Sequence, residues 1–143
     1  MSAPNLKITS RARQIRLLLL DVDGVLTDGR LYYGNNGEEL KSFNIQDGLG
    51  IKLLQRNGIK VGIITGRSSA LVARRAEELG IDLVVQGRED KLTALEDLLV
   101  THPYQMNEIA FLGDDLPDLA VIRRVGLGAA VANARPIIAE HAL

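Results

Sequence analysis

Five short aliphatic runs punctuate the chain, at residues 17–21, 60–65, 83–85, 109–112 and 126–131. Each is too short for a buried helix and too uniformly apolar for a strand with one wet face, so each predicts a strand covered on both sides of a parallel sheet. Helical patterns fill most of the gaps. Residues 47–56 carry Leu49, Ile51, Leu53 and Leu54 and stop at Gly58, and residues 68–79 end at Gly80, a placement typical of helix C-termini. Lys91 opens a third helix with Leu92, Leu95, Leu98 and Leu99 on one face. "DDLPDLAVIRRVG" predicts a fourth, with Asp115 near the cap, Pro117 in the first turn, and Arg123 and Arg124 in the last. Strand followed by helix, repeated, specifies a three-layer α/β sandwich around a central parallel sheet. With 143 residues, 46% of them hydrophobic, residues 1–143 suffice for a single domain with one core.

One segment breaks the alternation. In "RLYYGNNGEELKSFNI", residues 31–33 and 40–43 flank "GNNGEE", which predicts a β-hairpin projecting after the first strand. Its Tyr and Phe account for most of the few aromatics in the chain, and such a hairpin suits contact with a partner subunit better than a place in the sheet.

Charge and composition narrow the partner. Seventeen Lys and Arg face 18 Asp and Glu, a net charge of −1, which does not suggest nucleic acid or an anionic membrane surface. No run approaches the roughly 20 apolar residues of a membrane span, and "MSAPNLKITSRARQ" lacks the apolar region of a secretory signal, so a cytoplasmic location is expected. There is no cysteine, and imidazole comes only from His102 and His141, so a metal would sit on oxygen ligands.

In an open parallel sheet, ligands bind beyond the carboxyl ends of the strands. The positions just past the strand ends hold Asp21 and Asp23, then Thr65, then Lys91 at the next helix start, then Asp114 and Asp115. Several carboxylates with one hydroxyl and one ammonium favour Mg²⁺, which commonly shares its coordination with substrate phosphate. Asp21, ionised at neutral pH, can attack phosphorus directly and form an aspartyl-phosphate. Asp23 can protonate the leaving alkoxide and then take a proton from the hydrolytic water. Gly24 lets the chain turn sharply beside the phosphoryl group, whose equatorial oxygens Thr65 and Lys91 would contact. Asp114 completes the metal site, and Asp115 is expected to orient Lys91 or a metal-bound water. A calcium-binding EF-hand is excluded, because Val25 and the lack of a distal Glu break its pattern.

"DVDGVLTDG", "ITGR", a Lys opening a later helix, and "GDDLPD" together resemble the four motifs of the haloacid dehalogenase superfamily. "DVDGVLTDGRLYYGNNGEELKSFNIQDGLGIKLL" is similar more narrowly to the 3-deoxy-D-manno-octulosonate 8-phosphate phosphatases, and the resemblance runs over residues 17–134. It implies a Rossmann-like haloacid dehalogenase fold and a phosphoric monoester hydrolase of lipopolysaccharide precursor synthesis. It also implies Mg²⁺ on the Asp21 carboxylate, the Asp23 carbonyl and Asp114. Asn44, Ile45, Gln46, Asp47, Gly48, Lys52, Arg67, Arg75 and Lys91, with Asp23, would touch the sugar-acid phosphate. A homotetramer built through the hairpin is implied as well.

Spacing adds a separate constraint. Between Asp21 and Thr65 there is room for a hairpin and one helix, and between Thr65 and Lys91 for a helix and a strand. The cap is therefore minimal, and a neighbouring subunit would have to exclude water from the site. A phosphatase for a nine-carbon, sialic-type sugar acid 9-phosphate is the alternative within the same chemistry. A receiver-like phospho-aspartate signalling module is the alternative from another class. Receivers place an acid pair a whole strand and helix before the phosphorylated Asp, whereas here the acids lie two apart and pair again after Lys91, which favours the phosphatase.

Overall fold

The computed structural model describes residues 5–143, apart from the side chains of Glu38 and Glu39. Its five-stranded parallel sheet has β1 (Leu17–Leu20) at the centre, between β4 (Lys60–Ile64) and β6 (Ile109–Gly113). β5 (Leu83–Val85) lies beyond β4, and β7 (Leu127–Ala130) lies beyond β6. Leu20 pairs with Ile63 on one side and Leu112 on the other. The residues just past these three strands are thereby brought to one edge, and the Asp21 N–H still donates to the Leu112 carbonyl at 3.1 Å.

Alternation along the strands separates two apolar layers, because successive side chains point to opposite faces. Leu17, Leu19, Ile64 and Phe111 pack with Leu95 and Leu98 of α4 (Lys91–Thr101), Val121 of α5 (Leu119–Ile122) and Ile138 of α6 (Pro136–His141). On the other face Leu20, Val61 and Ile63 pack with Ile51 of α2 (Ile45–Arg56) and with Val72 and Ala76 of α3 (Ala70–Glu78). Burying each such Leu, Ile or Val contributes about 1.5–3 kcal/mol. Side-chain caps fix where the second layer begins: Asn44 accepts the Gln46 N–H at 2.8 Å, and Ser69 accepts the Leu71 N–H at 3.2 Å.

Three local features differ from the sequence expectation. A further helix, α1 (Leu6–Ala12), precedes β1, capped by Asn5 through the N–H groups of Lys7 and Ile8. It buries no residue, so it leaves no apolar period to read. The segment expected as a single fourth helix is broken into a 3₁₀ turn at Leu116–Asp118 followed by the four-residue α5. The Asp118 side chain is turned inward at the break, and a Cβ at Gly113 would lie 2.5 Å from its Oδ2, so only glycine lets β6 end so close. In the hairpin, β2 (Tyr32–Gly34) pairs antiparallel with β3 (Gly37–Leu40), so the connection contracts to Asn35 and Asn36. Phe43, expected in the second strand, packs instead against the α2–α3 layer. No helix among the described residues is long and apolar enough to cross a membrane.

Candidate active site

Asp21, Asp23, Thr65, Gly66, Arg67, Glu89, Lys91, Asp114, Asp115 and Pro117 line a cleft of ≈190 Å³ at the carboxyl edge of the sheet. The structure thus brings together the residues that the sequence places after successive strands. Asp21 is 7% exposed, and its Oδ1 accepts the Val22 N–H at 2.7 Å and lies 3.0 Å from Lys91 Nζ. Thr65 is buried, held by its N–H to the Val85 carbonyl and by its own carbonyl, which accepts from the Arg88 N–H. Thr27 Oγ1 accepts from the N–H groups of Gly24 and Gly29, and so pins the turn beyond the acid pair.

Lys91 is a buried ammonium, and its second partner is one the sequence reading missed. Its Nζ lies 2.6 Å from Asp118 Oδ1, while Asp118 Oδ2 accepts the N–H groups of Asp114 at 2.9 Å and Asp115 at 3.2 Å. Asp118 is wholly buried. A buried charge persists only where partners satisfy it, and here one ammonium bridges two carboxylates. Burial pushes the Lys91 pKa down, but Asp21 and Asp118 outweigh it and the net shift is upward, so Lys91 stays charged. The expectation that Asp115 orients Lys91 is therefore corrected. Asp115 caps the 3₁₀ turn through the Leu116 N–H, pairs with Arg135 at the rim, and is half exposed. Its pKa is lowered by that N–H and by Arg135. The available signal for Asp118 was an acid four residues after Asp114 at the start of an apolar helical pattern, where solvent exposure is the ordinary reading.

Asp114 reveals a charge imbalance. Its Oδ1 is buried without a hydrogen-bond partner, and burial, together with the carboxylates of Asp21, Asp118 and Asp115, pushes its pKa from 3.8 to about 7. Burial also raises the Asp21 pKa, with Lys91 opposing and Asp118 reinforcing the shift. Oxygen atoms of Asp21, Asp114 and Asp118 lie within 4.8 Å of one another. Since both oxygens of Asp118 are engaged by Lys91 and two amides, Asp21 and Asp114 are the carboxylates with capacity for a cation. Gly24 keeps that space open: its φ is 86°, and a Cβ there would stand 1.9 Å from Asp114 Oδ2. A hard, oxygen-only donor set with an orphaned oxygen fits Mg²⁺.

Asp23 occupies the mouth of the cleft, with Oδ1 2.7 Å from Lys41 Nζ and Oδ2 4.0 Å from Arg67 Nε. Arg67 also donates to the Tyr33 hydroxyl at 3.4 Å, which links the hairpin to the rim. Of the side chains expected at the substrate, only Asp23, Arg67 and Lys91 line this cleft. Asn44 caps α2, and its carbonyl accepts from Arg75 Nη2 at 3.4 Å. Arg75 lies over the Phe43 ring and pairs with Glu78, with Gly48 close beneath its guanidinium. Asp47 lines a neighbouring cavity of ≈360 Å³ with Thr27, Asp28 and Ser42, and Ile45 and Gln46 are exposed. Lys52 lies farther along α2, its Nζ beside Gly80.

The haloacid dehalogenase-like hydrolase family model matches residues 49–126. The 3-deoxy-D-manno-octulosonate 8-phosphate phosphatase of Yersinia pestis is 50% identical over 135 residues, which cover 94% of this chain and 72% of that protein. A crystal structure of the Yersinia pestis phosphatase superposes with a TM-score of 0.93 at 49% identity, over 96% of this chain and 74% of the other. The Moraxella catarrhalis phosphatase, in complex with magnesium, phosphate and the KDO molecule, gives 0.92 at 46% identity, over 95% and 78%. The chain belongs to the haloacid dehalogenase-like hydrolases and, within them, to the 3-deoxy-D-manno-octulosonate 8-phosphate phosphatase family, whose members are phosphoric monoester hydrolases.

Proposed function

We propose that the protein is a Mg²⁺-dependent phosphatase that converts 3-deoxy-D-manno-octulosonate 8-phosphate into the free sugar acid and phosphate, as a cytoplasmic step of lipopolysaccharide precursor synthesis. The carrying observation is the juxtaposition of Asp21 and the unpartnered Asp114 oxygen beside the buried Lys91 ammonium. The names of the relatives supply the substrate, and the magnesium, phosphate and sugar acid in the Moraxella catarrhalis structure support the ligand set.

Asp21 attacks the phosphorus, a new P–O bond forms on its carboxylate, and the ester P–O bond to the sugar breaks. Asp23 gives its proton to the departing alkoxide and later accepts one from the water that releases phosphate from Asp21. Lys91 and Thr65 donate to the equatorial oxygens, and Asp118 holds Lys91 in place for that task. Asp21, the Asp23 carbonyl and Asp114 would hold Mg²⁺, which supplies the positive charge that lets a phosphate dianion approach a carboxylate. Asp115 is left to orient a metal-bound water at the rim.

Arg67 would grip the substrate carboxylate. Asn44, Ile45, Gln46, Asp47, Gly48, Lys52 and Arg75 lie outside the cleft of their own chain, and in this account they complete a neighbour's site. A homotetramer assembled through the hairpin would bring them there, and the exposed Leu31, Tyr32, Tyr33 and Leu40 support such an assembly.

Phosphate release from the eight-carbon 8-phosphate and a nine-carbon sugar acid 9-phosphate, each with Mg²⁺ and with chelator, tests this directly. The eight-carbon ester should give a kcat/KM at least about tenfold higher, and chelation should abolish turnover of both. Preference for the nine-carbon ester would overturn the substrate assignment, and activity that survives chelation would overturn the metal chemistry.

A further inference from the structure

The hairpin feeds straight into the acid/base side of the cleft. β3 ends at Leu40, and the next residue, Lys41, has a side chain only 2% exposed with its Nζ 2.7 Å from Asp23 Oδ1. Lys41 belongs to none of the four motifs and is not among the residues that the resemblance places at the substrate. Burying an ammonium is unfavourable unless a well-placed counter-charge meets it, and ordering four methylenes costs rotamer freedom as well. Among the described contacts, it meets the side chain assigned to proton transfer. The other oxygen, Oδ2, has Arg67 nearby at 4.0 Å, and the Arg67 side chain is 46% exposed.

We propose that Lys41 is a positioning residue for Asp23, fixing the carboxylate through Oδ1 so that Oδ2 faces the leaving group and then the hydrolytic water. This deepens the phosphatase assignment and rests on it. Acting through this ion pair, Lys41 influences the reaction where Asp23 moves a proton. In the first half-reaction a sugar alkoxide must be protonated as it departs, whereas p-nitrophenolate leaves readily without a proton. Because kcat/KM reports events only up to the first irreversible step, the two esters separate a defect in proton delivery from a general loss of structure.

The experiment compares the wild-type protein and Lys41→Met, which removes the ammonium but keeps an unbranched apolar stem, on the eight-carbon sugar-acid phosphate and on p-nitrophenyl phosphate. General acid catalysis contributes about 10²–10⁴-fold, so the sugar-acid ester should lose about a hundredfold in kcat/KM while the aryl ester loses less than about a tenth of that factor. In an Asp23→Asn background, Lys41→Met should cost less than about twofold more, since a residue acting through Asp23 has nothing left to position. Equal losses on both esters, or losses that multiply in the double variant, would reduce Lys41 to a structural residue and overturn the proposal. Unchanged kinetics on the sugar-acid ester would overturn it too. Should Lys41→Met not fold, Lys41→Gln gives the same ratio with a polar group at the same depth. A wild-type protein that hydrolyses neither ester would defeat the phosphatase assignment itself, and with it the role of Asp23 on which Lys41 depends.

Discussion

The cleft at the carboxyl edge of the sheet and the surface formed by the hairpin and α2 depart from ordinary burial in opposite directions. In and just behind the cleft, Asp21, Thr65, Lys91 and Asp118 are buried although their side chains are polar or charged. On the hairpin and α2, Tyr33, Leu40, Ile45, Leu49 and Leu53 are exposed although they are apolar. Buried charge is unfavourable unless it is paired, and clustered exposed apolar surface marks contact sites. Among the buried side-chain atoms of the described residues, one oxygen of Asp114 has no hydrogen-bond partner, which suits the proposed small cation. Ile45, Leu49 and Leu53 lie four residues apart along one exposed helical face, which suits the proposed subunit contact. Each region suits the chemistry of its proposed partner, one ionic and one macromolecular.

The sharpest way to break the contrast is to remove the nucleophile. Asp21→Asn should lower phosphate release from the sugar-acid ester by at least about 10⁴-fold while the protein remains folded. Turnover above about one per cent of wild type would mean that the attacking group lies elsewhere.

Asp118 and Asp115 set buried against exposed pairing within one turn of chain. Asp118→Ala strands the Lys91 ammonium with Asp21 alone and removes the acceptor of two amides, so urea denaturation should show a loss of about 3–5 kcal/mol. Asp115→Ala breaks a half-exposed pair with Arg135 and the cap on the Leu116 N–H, and should cost about 1–2 kcal/mol. Equal losses would show that Lys91 does not depend on Asp118.

Much of this arrangement was legible in the sequence, and the gaps have identifiable causes. The five sheet strands stand out because parallel strands are covered on both faces and are apolar throughout. Asp21, Asp23, Thr65, Lys91 and Asp114 could be read because topology brings strand ends together whatever the loops do. Asp118 and Lys41 could not: each is an ordinary surface residue type in a polar stretch, buried only by a pairing across distant segments. The break before α5 is hidden for the same reason, since it exists where Asp118 turns inward. The hairpin was legible from its turn residues, but Phe43 falls outside it because strand periodicity cannot say where a chain leaves one sheet to join another core.

A tenfold effect is expected from pH. Burial and the neighbouring carboxylates push the Asp114 pKa up from 3.8 to about 7. A carboxyl raised in the folded state stabilises the metal-free fold most fully below about pH 3.8, and that stability is lost as pH rises through about 7. In the proposed site Mg²⁺ would displace this proton, so its affinity should fall by about tenfold for each pH unit below 7 and level off above it. Titration calorimetry at about pH 5.5, 6.5 and 7.5 measures this, and a flat profile would remove Asp114 from the metal site.

The smallest intrinsic effect belongs to the hairpin. Tyr32 and Leu40 are paired across the two strands, and Tyr32→Ser with Leu40→Ser should cost the isolated chain only about 0.2–1 kcal/mol. The same pair of changes should shift sedimentation velocity towards monomer and lower activity on the sugar-acid ester. An undissociated and fully active variant would place the contact surface elsewhere.

The central claim is that Asp21 carries the phosphoryl group between sugar and water. Rapid acid quench of the enzyme turning over the eight-carbon 8-phosphate with Mg²⁺, followed by tandem mass spectrometry, reads this directly. Phosphate bound covalently to the peptide at Asp21, absent in Asp21→Asn, is the predicted result. Phosphate on another residue would contradict it, as would continued phosphate release by Asp21→Asn.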